Sequence, residues 1–379
     1  MLIDLRPLHP WPEATAARRL LRCPFVLNFG PETPYTDDFG PNLVPECGVG
    51  GGVLSASLEK RSVPHTDLEI SRLVMGTMTF GSQVDEQGAA RMVGCCLDEG
   101  INMFDTANAY NEGRSEEILG KLIAPHRAEV LIATKVFNSM GGAPDDRGLT
   151  KTAIHKAIEA SLRRLGTDYV DLYYFHQPDW ATDIEDSLEA LQDLVQAGKV
   201  RHAGLSNYAA WQIAEIHCLQ AAAGRPQPHV SQELYNLLAR RLDDEYAAFS
   251  AHYGIFDIVY NPLAGGLLTG KHGRDQKPAA GTRFAQDLYR QRYWDEPHFA
   301  AVEDLRSLAS DAGLDLIQLS FRWLLGRELV DSVLLGASSM AHLEANLEAC
   351  RGPRLDDEIL KRCDEVWERL RGPAASYNR

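Results

Sequence analysis

Four titratable side chains lie near the ends of short apolar segments and have the types needed to move a proton. Asp105 ends INMFD and is soon followed by Tyr110, Lys135 ends VLIATK, and His176 ends VDLYYFH. A phenol has a pKa of about 10 and is a poor proton donor near neutral pH, but a neighbouring ammonium lowers that pKa. A carboxylate would hold the ammonium in place, and an imidazole could orient a carbonyl oxygen or relay a proton. Together the four groups could supply general acid catalysis for carbonyl reduction.

Each of these residues, taken alone, also has an ordinary structural interpretation. An aspartate at the end of a strand is often a turn residue, a lone lysine is usually solvated, and the histidine of HQPDW could anchor a loop. Four such residues on one rim of a fold, at successive strands, are harder to explain in this way. We therefore interpret them as one set, which requires elements that bring the segment ends together.

From about residue 60, short apolar runs alternate with amphipathic stretches. The runs predict β-strands and the stretches between them predict helices. The predicted strands are 71–76, 101–105, 130–135, 170–176, 200–207, 229–235, 257–262 and 332–336. The predicted helices include 86–100, 115–123, 150–166, 184–199, 210–223 and 340–350. Glycines close several of these helices, as is typical of helix ends.

Strand–helix alternation repeated eight times predicts parallel strands joined by right-handed helical crossovers. Eight units close a (β/α)8 barrel, whose functional residues lie at the carboxyl ends of the strands. An open doubly wound sheet is the alternative, but it would carry a GxGxxG fingerprint after its first strand, and MGTMTFGSQ lacks that pattern. We therefore predict an α/β fold, a (β/α)8 TIM barrel, with the four titratable residues on one rim.

The composition is that of a globular protein and argues against several partners. The 379 residues are 45% hydrophobic and 24% charged, and the formal net charge of −15 argues against nucleic acid and anionic membranes. We find no apolar run long enough for a transmembrane helix and no secretory signal. The 7 cysteines form no CxxC pair or even disulfide framework, so we expect a reduced, cytoplasmic protein without a metal.

The first 58 residues differ from the rest of the chain. The segment FGPETPYTDDFGPNLVPECGVGGGVLSAS is rich in proline and glycine and has no sustained periodicity. We predict an irregular N-terminal extension of unknown role over 1–58 and a barrel domain over 59–379.

Over residues 61–379 the sequence resembles the aldo-keto reductases. The resemblance rests on long signatures, namely SRLVMGTMTFG, GINMFDTANAYNEGRSEEILG, VLIATKV, LYYFHQPD, GKVRHAGLSNYAAWQ, SQELYN and NPLAGGLLTGK. Other segments are most similar to the branch of aflatoxin-aldehyde and succinic-semialdehyde reductases, namely NPLAGGLLTGKH, RQRYWDEPHF, SSMAHLEANL and the terminal SYNR.

The resemblance implies a mechanism for the four titratable residues. Tyr110 matches the family's proton donor, Lys135 and Asp105 match the partners that lower its pKa, and His176 matches the residue that positions the substrate carbonyl. The reaction implied is direct hydride transfer from NADPH to an aldehyde or ketone, with no metal. Since the family binds nicotinamide without a Rossmann fold, the missing GxGxxG pattern agrees with it.

The resemblance also implies a cofactor site along the rim. Ser206, Asn207 and Gln232 match groups that hydrogen-bond the carboxamide. Tyr260 matches the aromatic residue that stacks on the nicotinamide ring, although a strand aromatic is often a core residue. The run LAGGLLTGK would wrap the pyrophosphate, because glycines let backbone amides approach a phosphate. The remaining cofactor candidates are Gly76, Thr77, Met78, Asp105, Asn261, Pro262, Leu263, Gly265, Gly266, Lys271, Arg283, Gly336, Ser338, Ser339, His342 and Asn346.

One departure from the family concerns the choice of cofactor. Many members have lysine or arginine at the position of Ser339, where it pairs with the 2′-phosphate of NADPH. A hydroxyl can hydrogen-bond a phosphate but adds no charge, so Lys271 or Arg283 would have to compensate. We expect NADPH, with NADH as the alternative.

Two arginines suggest a substrate that carries a carboxylate. Arg292 and Arg379 match positions that bind such a group in the similar branch, and guanidinium suits bidentate binding. Their alternatives are a surface-loop arginine and a disordered terminus. Trp294 and Met78 could line an apolar wall of the substrate site, or could belong to the core.

Two classes of function follow from the resemblance. The first is an NADPH-dependent reductase of a small carbonyl compound, acting as a monomer or homodimer. The second is a cofactor-binding regulatory subunit, like the channel-associated members of the superfamily, which act mainly through a partner. The four retained residues favour the enzyme, whereas the extension over 1–58 is the one feature that could serve a partner.

Overall fold

The computed structural model describes residues 59–274, 276–278 and 281–373. The predicted extension and Arg379 lie outside the described residues. The strands are β1 (Lys60–Ser62), β2 (Glu69–Ser71), β3 (Leu73–Gly76), β4 (Met103–Asp105), β5 (Leu131–Val136), β6 (Val170–Phe175), β7 (Val200–Ser206), β8 (Val230–Leu234), β9 (Phe256–Tyr260) and β10 (Ser332–Gly336). The helices are α1 (Glu86–Asp98), α2 (Arg114–Ile123), α3 (Lys151–Leu165), α4 (Ile184–Gln196), α5 (Ala210–Ala222), α6 (Tyr246–Tyr253), α7 (Asp287–Tyr293), α8 (Glu296–Asp311), α9 (Leu316–Leu325), α10 (Met340–Ala349) and α11 (Asp357–Arg371).

Eight of these strands form a closed parallel barrel, in the order β10, β3, β4, β5, β6, β7, β8 and β9. This confirms the predicted (β/α)8 fold. Each barrel strand falls on one of the eight predicted segments, with ends that differ by at most two residues. Barrel strands are buried on both faces and therefore read as continuous apolar runs, which is why the prediction succeeds.

Side chains inside the barrel come from alternate strand positions, as pleating requires. One apolar cluster contains the inward residues Val74, Met103, Ala133, Leu172, Tyr174, Val230, Phe256 and Ile258. Two residues further along each strand, towards its carboxyl end, the next inward positions are Gly76, Asp105, Lys135, His176, Gln232 and Tyr260. The barrel interior is therefore apolar in its middle and polar at the carboxyl rim.

Strands β1 and β2 form an antiparallel hairpin that the sequence did not predict. Three residues of the hairpin, Val63, Leu68 and Ile70, belong to the apolar cluster inside the barrel. The hairpin therefore closes the amino-terminal end of the barrel, away from the polar rim. Each of its strands has 3 residues, which is too short for an alternating pattern to be recognised.

The helices cover the outside of the barrel. Outward side chains of the strands, such as Leu73, Phe104 and Ile132, share a second and larger apolar cluster with helix residues, such as Met92 and Ile118. Within the described part of the chain, none of the helices combines the length and the apolar character that a membrane crossing needs.

Candidate active site

Asp105 and Lys135 form a fully buried ion pair at the carboxyl ends of β4 and β5. Lys135 Nζ donates a hydrogen bond to Asp105 Oδ1 and another to the carbonyl oxygen of Thr106, at 2.9 Å for the second. Asp105 Oδ2 accepts a hydrogen bond from Gln232 Nε2 at 2.9 Å. Because both charges are removed from water, the pair depends on these bonds for its stability.

Tyr110 begins a short 3-10 turn between β4 and α2. The next residue, Asn111, has a φ of 51°, a conformation that asparagine tolerates better than most residues. Asn111 Nδ2 donates to the carbonyl oxygens of Met78 and Phe80, at 2.9 and 2.7 Å, which ties the turn to the loop after β3. The turn places the Tyr110 ring beside Lys135, whose Nζ is 5.3 Å from the ring centroid.

The pKa of Tyr110 reflects two opposing effects. Burial raises this pKa, the positive charge of Lys135 lowers it, and the net pKa lies above its ordinary value. The sequence analysis considered only the effect of Lys135 and expected a lowered pKa. That expectation differs from the structure because the depth of burial depends on tertiary packing. A raised pKa keeps the proton on Tyr110 at neutral pH but makes the phenol a weaker acid, so the nearby positive charge of Lys135 is needed to favour proton transfer.

The pKa of Lys135 is also set by competing effects. Burial lowers it, but the interactions with Asp105 and Tyr110 raise it by more, so the net pKa lies above its ordinary value. The ammonium therefore stays protonated at neutral pH. A permanent positive charge beside the phenol favours the phenolate that remains after proton transfer.

His176 lies just beyond β6 and faces Tyr110. The two rings meet edge to face, with centroids 6.0 Å apart. The His176 N–H donates to the Val136 carbonyl oxygen at 2.9 Å, and the His176 carbonyl oxygen accepts from Asn207 Nδ2 at 2.9 Å. Burial, together with the charge of Lys135, lowers the pKa of His176 to about 3. The imidazole is therefore neutral at physiological pH.

Ser206, Asn207, Gln232 and Tyr260 form a continuous hydrogen-bonded row on the same rim. Ser206 Oγ donates to the Gln232 carbonyl oxygen at 2.9 Å, and Asn207 Nδ2 donates to Ser206 Oγ at 3.0 Å. Tyr260 OH donates to Asn207 Oδ1 at 2.6 Å. Asn207 is exposed and has a φ of 62°. The row presents amide and hydroxyl groups, the types that bind a carboxamide.

Glycines form the surface next to this row. Gly76 and Gly336 end the neighbouring strands β3 and β10 and pair in register. A Cβ atom on Gly76 would lie 3.0 Å from a backbone carbonyl oxygen of β10, so a side chain there would crowd the rim. After β9, Asn261 Oδ1 accepts from the N–H of Gly265 at 2.6 Å, and both Gly265 and Gly266 have positive φ. Bare backbone at these positions fits a planar ring and a phosphate.

Two of the predicted cofactor residues are cations on the long loop after β9. Arg283 Nη1 donates to Tyr289 OH at 2.5 Å and lies 4.0 Å from Met78 Sδ. A Cβ atom on Gly336 would lie 3.5 Å from Arg283 Nη2, so this guanidinium reaches the glycine surface. Lys271 is exposed on the same loop. Phosphate binding by Arg283 and Lys271 stays a prediction.

The residues predicted to contact the adenosine end lie at the start of α10. Ser339 is the N-cap of this helix, and its Oγ accepts from the N–H of His342 at 3.2 Å. Ser338 Oγ and His342 Nδ1 are 3.0 Å apart, and Asn346 Nδ2 donates to the Gly336 carbonyl oxygen at 3.2 Å. Ser339 therefore has a structural role as a helix cap, and its contact with a cofactor stays a prediction.

Three further cofactor candidates use their side chains for packing. Thr77 is buried, and its Oγ1 donates to the Asp105 carbonyl oxygen at 3.1 Å. Pro262 is buried, and Leu263 packs against the outer apolar cluster. A cofactor would meet these three residues mainly through their backbone.

Of the substrate candidates, Arg292 lies close to the hydrogen-bonded row. Burial raises the pKa of Tyr260, and the charge of Arg292 opposes this rise, which places the guanidinium near the phenol. Trp294 packs against Phe284 and Phe299, with ring centroids 4.7 and 5.1 Å apart. Trp294 thus belongs to an aromatic cluster formed by the loop and the first turn of α8. Of the two arginines predicted to bind a substrate carboxylate, only Arg292 lies within the described residues.

The four predicted catalytic candidates meet on one rim, and two residues that the sequence analysis did not identify join them. Asn138 Nδ2 is 3.1 Å from His176 Nδ1. Tyr174 is fully buried, with its ring centroid 5.6 Å from Lys135 Nζ. Strand alternation could have identified Tyr174, two positions before His176, whereas Asn138 lies in a loop whose path no local pattern indicates.

Comparison with known proteins agrees with the resemblance seen in the signatures. The model of the aldo/keto reductase family matches residues 72–368. The chain is 35% identical over 324 residues to aflatoxin B1 aldehyde reductase member 2 of Rattus norvegicus, covering 81% of this chain and 87% of that protein. It is 35% identical over 324 residues to aldo-keto reductase family 7 member A3 of Homo sapiens, covering 81% and 96%.

A relative whose name indicates a different function is similar at nearly the same level. The chain is 33% identical over 318 residues to a probable voltage-gated potassium channel subunit beta of Arabidopsis thaliana, covering 82% of this chain and 96% of that protein. The family match, over residues 72–368, includes all eight barrel strands and the polar residues at their carboxyl ends. The chain therefore belongs to the aldo/keto reductase family, as an NAD(P)H-dependent oxidoreductase.

Proposed function

We propose that this protein reduces an aldehyde or ketone to an alcohol, with NADPH as the reductant. The observation that carries the proposal is the buried Asp105–Lys135 pair beside Tyr110, with His176 next to the same phenol. When bound, the reduced nicotinamide would supply a hydride to the carbonyl carbon. The hydrogen-bonded row at the ends of β7, β8 and β9 would hold its carboxamide.

In this proposal the four residues divide the work on the carbonyl oxygen. Tyr110 gives its proton to the oxygen; burial raises the pKa of the phenol, and the charge of Lys135 opposes that rise and so assists the transfer. Lys135 favours the phenolate that remains, and Asp105 holds the ammonium in place. His176 is neutral and donates a hydrogen bond to the oxygen. Groups held ready in this way stabilise developing charge without reorganising.

Steady-state oxidation of NADPH with a panel of aldehydes and ketones tests this function. Turnover that depends on Tyr110 supports it, and the absence of turnover with every member of the panel contradicts it.

The preference for NADPH over NADH is supported by Arg283, which reaches the glycine surface. Replacement of Arg283 by Ala should lower kcat/KM for NADPH more than for NADH, and an equal loss for both would contradict a phosphate contact.

The proximity of Arg292 to Tyr260 supports a substrate that carries a carboxylate. Succinic semialdehyde and butanal form a matched pair, because they have the same chain length and differ in the carboxylate. Replacement of Arg292 by Ala should raise the KM for succinic semialdehyde and leave that for butanal nearly unchanged. A similar rise for both aldehydes would contradict a carboxylate contact.

The similarity to a potassium channel subunit favours a second candidate function, a cofactor-binding regulatory subunit. Such a protein would bind NADPH tightly but turn over slowly or not at all. Fluorescence titration of NADPH, run beside the aldehyde panel, separates the two functions. Tight binding without turnover favours the regulator, and rapid turnover favours the enzyme.

A further inference from the structure

We infer that Asn138 is a positioning residue that fixes the tautomer of His176, so that the Nε2–H of the imidazole is available to the substrate carbonyl oxygen. The inference rests on the proposed function, because it concerns how His176 meets a carbonyl group. Its starting point is one contact, in which Asn138 Nδ2 lies 3.1 Å from His176 Nδ1.

The chemistry of the two groups determines the direction of this hydrogen bond. An amide nitrogen only donates, so Nδ1 of His176 must accept with its lone pair. A neutral imidazole carries one hydrogen on its two nitrogens, and that hydrogen is then on Nε2. The low pKa of His176, about 3, excludes a second hydrogen at neutral pH. The contact with Asn138 therefore selects the Nε2–H tautomer.

The remaining contacts of His176 leave Nε2 accessible. The backbone N–H and carbonyl oxygen of His176 are bonded to Val136 and Asn207. Within the described residues, no group forms a hydrogen bond with Nε2 of His176. The ring meets Tyr110 edge to face, with centroids 6.0 Å apart, so the imidazole lies beside the proposed proton donor. One carbonyl oxygen could then accept from both the phenol and the imidazole.

The backbone before Asn138 shows that its position is enforced by the surroundings. Phe137 has a φ of 155°, a value that residues with a side chain rarely adopt. The Phe137 carbonyl oxygen accepts from the N–H of Gly148 at 2.7 Å, which holds the chain after β5 in this unusual path. Strain of this kind persists only where neighbouring structure imposes it. Here it accompanies the turn that brings the amide to the imidazole.

Loss of the amide would leave the tautomer unselected. A fraction of molecules would then carry the hydrogen on Nδ1 and present the lone pair of Nε2 to the carbonyl oxygen, which is repulsive. In the proposed site the carboxamide of the cofactor is held by the hydrogen-bonded row at the ends of β7, β8 and β9, not by this nitrogen. Loss of Asn138 is therefore expected to lower kcat and to leave the affinity for NADPH unchanged.

The test combines nitrogen NMR with kinetics on the full chain. In protein labelled with 15N-histidine, long-range 1H–15N correlations report which ring nitrogen of His176 carries the hydrogen, with the signal assigned from His176→Gln. We expect the Nε2–H pattern in the unmodified protein and a mixed pattern in Asn138→Leu, which has similar volume but no donor. We expect kcat for aldehyde reduction to fall about tenfold in that variant, the effect of one lost hydrogen bond.

Ser139→Ala provides the matched control, since Ser139 is exposed on the same loop and its Oγ donates to the Gly141 carbonyl oxygen. This variant should keep both the tautomer and kcat. An Nδ1–H pattern in the unmodified protein, or an Asn138→Leu variant with unchanged NMR pattern and kcat, would overturn the inference while leaving the reductase function intact. If the protein reduced no carbonyl compound, the proposed function would fail, and the NMR pattern would still decide the tautomer.

Discussion

At the scale of single residues, Tyr110 is the most direct test of the proposed chemistry. Replacement of Tyr110 by Phe removes one oxygen and keeps the ring against His176. Because no other group would then donate the proton, we expect kcat to fall at least about 100-fold. The affinity for NADPH should change little, since the hydrogen-bonded row proposed to hold the carboxamide lies at the ends of β7, β8 and β9. Steady-state kinetics and fluorescence titration measure the two quantities.

Tyr169→Phe is the control for this substitution. Tyr169 lies before β6 at the amino-terminal end of the barrel, where its ring stacks on the guanidinium groups of Arg127 and Arg201. Loss of its hydroxyl should leave kcat unchanged. An unaltered kcat in Tyr110→Phe would contradict the assignment of the proton donor.

The pKa values of Tyr110 and His176 predict how the rate depends on pH. Reduction requires the protonated phenol, and burial raises the pKa of Tyr110, so kcat should fall only as the pH rises into the alkaline range. His176, with a pKa of about 3, stays neutral through the physiological range and should add no step there. The measurement is kcat from about pH 5 to pH 10. A step near pH 6.5, the ordinary value for histidine, that disappears in His176→Gln would contradict this prediction.

The ion pair of Asp105 and Lys135 should affect stability as well as catalysis. In Lys135→Met the carboxylate stays buried without its cation, and we expect the free energy of unfolding to fall by about 3–5 kcal/mol. The double variant Asp105→Asn/Lys135→Met removes both charges and should recover most of that loss. Urea unfolding of the two variants measures the difference. Equal stability of the single and double variants would show that the buried charge is compensated elsewhere.

At the scale of elements, helix α2 depends on a close contact that only glycine permits. A Cβ atom on Gly120 would lie 2.3 Å from the carbonyl oxygen of Leu165, at the end of α3. Gly94 lies in α1 and has no atom within 4 Å of such a Cβ position. We expect Gly120→Ala to lower the free energy of unfolding by about 1–3 kcal/mol. Gly94→Ala should raise it by about 0.5–1 kcal/mol, because alanine favours helix. Equal effects of the two substitutions would contradict the packing argument.

The elements also show which parts of the site were predictable from sequence. Lys135 could be placed because a strand end follows from an apolar run and the barrel rule brings such ends together. Asn138, three residues later, could not, because its contact with His176 depends on the path of a loop with a strained residue. The raised pKa of Tyr110 was missed for a related reason, since burial arises from several elements at once.

At the scale of the whole molecule, the barrel has two ends with separate roles. The carboxyl rim carries the polar residues, and the hairpin of β1 and β2 fills the opposite end with Val63, Leu68 and Ile70. Stability and chemistry are therefore located at different ends, as is usual for this fold. Shortening the chain from its amino terminus should reveal this separation.

We expect the chain 59–379 to fold and to keep its kcat, because the contacts that close the barrel begin with the hairpin. The chain 72–379 lacks the hairpin and would expose the apolar interior to water, so it should be insoluble or unfold at a much lower temperature. Thermal unfolding and aldehyde reduction, measured on both chains, compare the two effects. Loss of soluble protein for the chain 59–379 would show that residues 1–58 contribute to the barrel, and full stability of the chain 72–379 would contradict a closing role for the hairpin.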